Sequence, residues 1–314
     1  MKPQMKIAFI CTVFNEEKSI EDLLISLESQ SLKPDEVIIS DGGSSDNTLG
    51  KILEFQKQSK LKIKVISAKG NRSVGRNAAI KNTNSEIVAI SDAGCILNKN
   101  WLKNVTAPFR DRKVDVVAGY YKGIARNTFQ KCVIPYALVM PDRVNPNNFL
   151  PATRSMAIRR VVWETLGGFD QELDNNEDYT FARKIKKLGF KIIFKKAAMV
   201  NWIPPDSILK TFIMFYRFAK GDAESGIFRP KVALIFLRYA LGFLLLILAI
   251  IDRSVFVFEL LIVIPALYML WAVLKNYKYV RDQHALLYLP TIQIASDITV
   301  ITGTIKGLWD TQNK

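Results

Sequence analysis

Before residue 204 the apolar positions switch between two spacings. Lys6–Thr12 (KIAFICT) is a short apolar run with the length of a buried strand. Glu16–Ser29 follows, with Ile20, Leu23, Leu24 and Leu27 at helical spacing. The pair then recurs: strand Glu36–Ser40, helix Asp46–Gln58, strand Lys62–Ser67, helix Val74–Lys81, strand Glu86–Ser91. This alternation predicts an α/β fold with a mostly parallel sheet flanked by helices on both faces. Ligands of such sheets bind at the carboxyl ends of the strands, so residues just after each strand are the candidates for chemistry. The next stretch is less regular. Val114–Tyr120 and Thr153–Ile158 read as strands, and Asn176–Leu188 as a helix with Phe181, Ile185 and Leu188 on one face and Gly189 at its end. Phe190–Phe194 and Ala198–Trp202 read as two further strands.

Pro204-Pro205 marks a change of pattern. Ser207–Ala219 sets Ile208, Phe212, Phe215 and Ala219 on one helical face, which suits either a helix in the membrane interface or a core helix. Ala233–Ile251 and Val255–Leu274 are each close to the length that spans a bilayer, with Asp252-Arg253-Ser254 as the turn between them. Arg229 and Lys231 precede the first span, and Lys275, Lys278 and Arg281 follow the second. Positive residues stay in the cytoplasm, so both flanks and the soluble part are expected there. Arg238 is near enough to a span end to snorkel, and Glu259 lies about a turn from the far-side loop. Ala285–Lys306 is a third hydrophobic segment. Ser296, Thr299, Gly303 and Gly307 give it a small-residue face for close packing, and Asp297 argues against a lipid-exposed span. The expected organisation is a catalytic domain over 1–203, an amphipathic interfacial segment over 204–231 and a membrane region over 232–314, in a multi-pass protein of the cell membrane.

The net charge of +15 calls for an anionic partner, and the apolar segments make membrane lipids the economical one. Nucleic acid is not expected, because the chain has no zinc-ligand set, basic arm or nucleic-acid module. Three cysteines, Cys11, Cys95 and Cys132, do not make a disulfide framework. The single histidine, His284, excludes His-triad hydrolysis and multi-His metal sites. The polar stretch Met1–Lys6 does not have the pattern expected of a signal peptide. A dinucleotide-binding oxidoreductase is excluded too, since Val13-Phe14-Asn15-Glu16 follows the first strand where a Gly-x-Gly-x-x-Gly turn is needed.

Clusters of chemistry-bearing residues fall at the predicted strand ends: Thr12–Glu17, Ser40–Thr48, Gly75–Ala79 with Ser91–Gly94, and Asn176–Tyr179. Each has a structural alternative. Asp46 is a possible helix cap, Gly42 and Gly43 possible turn residues, and Glu177 and Asp178 acids of a first helical turn. As an ordered set, FNEE (Phe14–Glu17), SDGGSSDNT (Ser40–Thr48), GRNAAI (Gly75–Ile80), SDAG (Ser91–Gly94) and NED (Asn176–Asp178) resemble the family-2 glycosyltransferases, which have the GT-A fold. Pro151–Asp170, with its GGFD turn, resembles that family's acceptor side, and the hydrophobic ending resembles its membrane-bound branch.

The resemblance implies a nucleotide diphosphate-sugar donor. Thr12, Phe14, Asn15, Glu16, Asp41 and Gly42 would line its nucleotide pocket, with Asp41 on the base and Glu16 towards the ribose. Arg76 offers a planar cationic fork for the diphosphate. Asp92 stands at the first acid of the family's DxD signature, which holds Mg2+ or Mn2+ on the diphosphate. The second acid is replaced by Gly94, so one carboxylate of the metal site is missing. Cys95 beside it is a poor ligand for a hard cation and reads as structural. The resemblance makes Asp178 the catalytic base of an inverting transfer, with Glu177 supporting it. Arg154 and Arg159 would meet an anionic acceptor, either lipid-linked or a cell-envelope glycan; a solvated basic edge is the alternative. A non-catalytic, membrane-bound nucleotide-sugar-binding or scaffold protein that retained the fold is the alternative to the enzyme, motivated by Gly94.

Overall fold

The computed structural model describes residues 5–313. In chain order the described residues form β1 (Ile7–Val13), α1 (Ile20–Glu28), β2 (Glu36–Asp41), α2 (Thr48–Gln58), β3 (Ile63–Ser67), α3 (Arg72–Lys81), β4 (Ile87–Ile90), β5 (Cys95–Leu97), α4 (Trp101–Thr106), β6 (Val116–Gly123), α5 (Thr128–Ala137), β7 (Met156–Arg159), α6 (Arg160–Leu166), α7 (Glu177–Lys187), β8 (Ile192–Trp202), α8 (Ile208–Glu224), α9 (Pro230–Asp252), α10 (Val255–Val280) and α11 (Ala285–Gln312).

The chain divides into two units. One holds the residues up to Gly123 together with Pro141–Ile203; the other holds Ile124–Met140 and the chain from Pro204 onward. In the first unit the sheet order is β3-β2-β1-β4-β7-β6-β8-β5. β1 to β4 are mutually parallel where they pair, so their carboxyl ends share one edge. β7 then runs antiparallel to both β4 and β6, and β5 antiparallel to β8. The sheet is therefore mixed, with its parallel half where strands and helices alternate regularly. Alternate residues feed opposite faces. Phe9, Cys11 and Val13 pack with Leu23, Leu24 and Leu27 of α1, whereas Ile10 and Val88 pack with Ile80 of α3 and Phe181 of α7. Phe190–Phe194 and Ala198–Trp202 are expected as two strands, but Ile192–Phe194 and Ala198–Trp202 are the two ends of the single strand β8, and Phe190 and Lys191 precede it. A register shift opposite Gly119/Tyr120 carries the strand through Lys195 and Lys196.

In the second unit α9, α10 and α11 are long and apolar enough to cross a membrane. Apolar side chains of α9 and α10 are exposed all round, as in Phe243, Ile251, Val255 and Ile262, which is the signature of a lipid-facing helix. The turn between α9 and α10 falls at Arg253 and Ser254, with Asp252 still in α9 and Arg253 left-handed at φ 52°. The small-residue face of α11 does pack closely, and its partner is α8. A side-chain carbon added at Gly307 would lie 2.5 Å from the Lys220 carbonyl oxygen, and one at Gly303 2.7 Å from that of Tyr216. Phe215 and Ala219 of the amphipathic face of α8 are buried, while Ile208 is exposed. Residues 124–140, inside the segment expected to be catalytic, belong to this helical unit. Cys132 and Val133 of α5 share its core with Phe215, Leu289 and Ile292.

Arg238 does not snorkel. It turns inward to Asp297, with Nη2 2.7 Å from the carboxylate, and Asp297 also accepts from Tyr268 Oη at 2.7 Å and Gln293 Nε2 at 3.0 Å. Asp297 is 1% exposed. In a low dielectric the attraction between the two charges exceeds what either gains by reaching for a distant interface.

Candidate active site

The loops that follow β1 and β2 are knitted together at the parallel edge. Asn15, held left-handed at φ 55°, accepts from Ser45 N at 2.8 Å, and its own N–H donates to Ser44 Oγ at 3.0 Å. Glu16 N donates to Thr48 Oγ1 at 2.7 Å, and Glu17 N to Asp46 at 3.2 Å. Asp46 also accepts from Thr48 N at 3.0 Å, but the N-cap of α2 is Asn47, so Asp46 braces the turn before the helix and does not cap it. Asp41 is buried, and its carboxylate accepts from Gly43 N at 3.0 Å and Ser44 Oγ at 2.6 Å. Gly43 sits at φ 96°, a conformation that requires glycine. A side-chain carbon added at Gly42 would lie 3.6 Å from the Phe14 ring, which is 61% exposed, and Thr12 is half-buried nearby. Thus Thr12, Phe14, Asn15, Glu16, Asp41 and Gly42 do come together on one surface. Burial raises the Glu16 carboxyl above its ordinary value, against the opposing hydrogen bond from Ser19.

Arg76, expected as a fork for the diphosphate, is enclosed and already partnered. It is 2% exposed, and its fork is already engaged. Nη1 pairs with Glu177, and Nη2 donates to Asp92 at 3.0 Å and Thr153 Oγ1 at 2.9 Å. Arg76 therefore ties together three acidic or polar groups from distant parts of the chain. Asp178, one residue along α7, is half-buried and lies outside ion-pair distance of Arg76; among the described residues it accepts only from Tyr179 N, at 2.7 Å. Burial, and then the neighbouring Glu177 charge, push its carboxyl above the ordinary carboxylate range. Asp92 goes the other way. Burial raises it, but Arg76, Arg154 and Arg72 together hold it below that range.

Arg159 leaves the site. β7 is antiparallel to β4, so Arg159 pairs with Ile87 at the start of β4, the opposite end from Asp92. It is buried there, bonded to Glu86, to Val114 O at 2.8 Å and to Phe109 O at 3.0 Å. Its expected acceptor role is replaced by a structural one. Arg154 stays: its carbonyl accepts from Ser91 Oγ at 2.8 Å, next to Asp92. The sequence pattern did not single out Arg72, Thr153, Tyr121 and Trp202. Arg72 was open to detection, since it lies one helical turn before Arg76 at the start of α3. Asn77 of the GRN motif serves the fold. It accepts from Trp163 Nε1 at 2.9 Å and Phe169 N at 2.8 Å, locking the turn whose Gly167 and Gly168 are left-handed.

The residues present do not by themselves make a divalent-cation site. Asp92 is one carboxylate, already paired with Arg76. At Gly94 an added side chain would meet nothing within 4 Å, so the missing second acid leaves open space. Among the described residues no three His, Cys, Asp or Glu side chains gather as metal ligands. Cys95 is fully buried, and that burial pushes its thiol up to about 12, in keeping with a structural residue.

The order of elements has parallels among solved structures. The solved mannosyltransferase PcManGT from Pyrobaculum calidifontis, in complex with GDP-Man and Mn2+, superposes with a TM-score of 0.61 at 18% identity, covering 97% of this chain and 87% of that one. Its likeness is one of fold. A dolichyl N-acetyl-alpha-D-glucosaminyl phosphate 3-beta-D-2,3-diacetamido-2,3-dideoxy-beta-D-glucuronosyltransferase of Methanococcus voltae is 26% identical over 270 residues, covering 80% of this chain and 83% of the relative. The poly-beta-1,6-N-acetyl-D-glucosamine synthase of Staphylococcus epidermidis is 23% identical over 232 residues, which span 69% of this chain and 55% of the synthase's own length. Residues 8–166 match the family described as Glycosyl transferase family 2, just over half of the 314 residues, and the chain belongs to that family.

Proposed function

We propose that the protein moves a glycosyl group from a nucleoside diphosphate-sugar to a hydroxyl or phosphate acceptor on a lipid-linked or cell-envelope glycan, with inversion at the anomeric carbon. The observation that carries this reading is the cluster of Asp92, Arg76, Glu177 and Asp178, with both acids of α7 brought to the carboxyl edge of β4. Asp178 is the base. It takes the acceptor hydroxyl proton as the acceptor oxygen bonds to the anomeric carbon and the bond to the diphosphate breaks. Its raised affinity for a proton suits that task, because a base works best when its pKa approaches the operating pH. Glu177 and Arg76 are positioning residues that fix the first turn of α7 beside Asp92. The knitted loops at Phe14–Glu17 and Asp41–Thr48 form the nucleotide wall, with the exposed Phe14 ring available to stack on a base.

The three apolar helices support a multi-pass membrane protein. The basic flanks Arg229, Lys231, Lys275, Lys278 and Arg281 support a cytoplasmic catalytic unit. The test is turnover of a panel of nucleotide-sugars with polyprenyl phosphate-linked acceptors. Asp178→Asn is expected to lower turnover roughly 10²–10⁴-fold and to leave nucleotide affinity unchanged. Wild-type turnover by that variant would remove Asp178 as the base. Nucleotide binding without turnover across the panel would favour the scaffold reading that Gly94 motivates.

A further inference from the structure

Of the three arginines that bear on Asp92, Arg76 and Arg154 differ in what they have left to offer. Arg76 is buried with its nitrogens engaged. Arg154 is half-buried and stacked, its guanidinium carbon 5.0 Å from the Trp202 ring centre and 5.6 Å from that of Tyr121. Among the described residues its guanidinium forms no hydrogen bond and no ion pair. Stacking uses the faces of the cation and leaves its in-plane N–H donors open, which is the geometry that grips a phosphate with two parallel bonds. Its backbone is fixed on both sides: the Arg154 carbonyl accepts from Ser91 Oγ, and Thr153 holds Arg76. Nearby stand Asp92, Glu177 and Asp178, and among the described residues Arg76 is the cation that forms ion pairs with Asp92 and Glu177. A nucleoside diphosphate entering beside them needs a cation, and the second metal-binding acid is absent at Gly94.

We infer that Arg154 is the diphosphate-binding and leaving-group-stabilising residue of this enzyme, standing in for the divalent cation. The inference rests on the nucleoside diphosphate-sugar reading above. In the transfer, the electron pair of the breaking bond departs on the diphosphate, and the Arg154 N–H groups donate to the oxygen atoms that gain charge. The acceptor proton goes to Asp178. The proton and the charge thus move on opposite sides of the anomeric carbon, and no further reactant is required.

The experiment is calorimetry of the detergent-solubilised full chain with UDP, GDP and CDP, in EDTA and in Mn2+. Wild type is expected to bind one of them with the same Kd in both buffers. Arg154→Gln is expected to weaken that binding roughly 10–100-fold, as for loss of hydrogen bonds to a charged group. Arg154→Lys should fall between, keeping the charge without the fork. Gly94→Asp, which fills open space with the missing carboxylate, is expected to make affinity respond to Mn2+, and to do so in the Arg154→Gln background. Wild-type binding that vanishes in EDTA, with Arg154→Gln binding as wild type does, overturns the inference and leaves the donor reading standing. Absence of binding by all three nucleotides in both buffers overturns the donor reading and this inference with it.

Discussion

Each unit of the chain is built around an arginine that meets buried acid, and the two clusters are finished differently. In the helical unit Arg238 and Asp297 neutralise one another, and Tyr239, Tyr268 and Gln293 direct their remaining donors at the same carboxylate. That cluster holds one cation and one anion. In the α/β unit one fully enclosed arginine meets Glu177 and Asp92, with Asp178 beside them and Arg154 outside the network. The acids outnumber the enclosed cation. The contrast follows from the surroundings. Among closely packed apolar helices a buried unmatched charge has little to solvate it. At the sheet edge Asp92, Asp178 and Arg154 are only half-buried, so water can solvate unmatched charge there. Excess polar functionality is what separates a reacting site from a structural pin.

The comparison breaks most visibly at Arg76. Arg76→Met leaves Glu177, 3% exposed, without its partner. Removing one member of a buried pair costs about 3–5 kcal/mol, so thermal denaturation should show a fall of many degrees or no cooperative transition. Arg76→Met with Glu177→Leu should recover much of that stability, because replacing a whole buried pair with apolar side chains is often neutral. Turnover should not return with it, since Asp92 and the first turn of α7 are no longer held together. Recovery of both would make the α/β cluster a pin like the other.

Arg238 supplies the sharper control. Arg238→Met strands Asp297, but Tyr268, Tyr239 and Gln293 still donate to it, and the expected loss is smaller, about 1–3 kcal/mol. The double variant with Asp297→Leu should melt in detergent close to wild type and should keep nucleotide affinity unchanged. A double variant that stays folded but loses nucleotide binding would assign the helical cluster a part in the donor site and erase the distinction.

The sequence carries these regions unequally. The parallel half of the sheet is readable because its strands and helices bury opposite faces at periods of two and of three to four. The lengths of α9 and α10 are readable for a different reason, the continuous apolar runs that the polar Asp252–Ser254 interrupts. β8 reads as two strands because Lys195 and Lys196 interrupt its apolar pattern, and β5 is too short at Cys95–Leu97 to show a period. Within the site, the loop clusters were visible as motifs, but their partners were not. Arg76 and Glu177 are 101 residues apart in the chain, and no local pattern announces that an arginine suited to phosphate is already occupied. Arg159 was misplaced because a strand's direction within the sheet depends on long-range pairing, and the antiparallel entry of β7 sends it to the wrong end.

The finest test of the comparison is proton linkage. Burial and then Glu177 hold the Asp178 carboxyl above its ordinary value, so the folded protein binds that proton more tightly than the unfolded chain does. Stability from this group is fully present below the ordinary value of 3.8 and is lost as pH rises through the raised folded value. Asp92 has the opposite sign. Its arginine neighbours outweigh burial, so its contribution is present above the ordinary value and is lost as pH falls through the lowered folded one. At neutral pH Asp178→Asn should therefore melt no lower than wild type while its turnover collapses, and Asp92→Asn should melt lower. In kcat/KM the acidic limb belongs to Asp178 and should lie above the ordinary carboxylate value. Glu177→Gln removes the adjacent negative charge, so that limb should move to lower pH. A limb that stays in place would show that Glu177 and Asp178 do not share a field, and the excess of acid in this cluster would then have no bearing on the base.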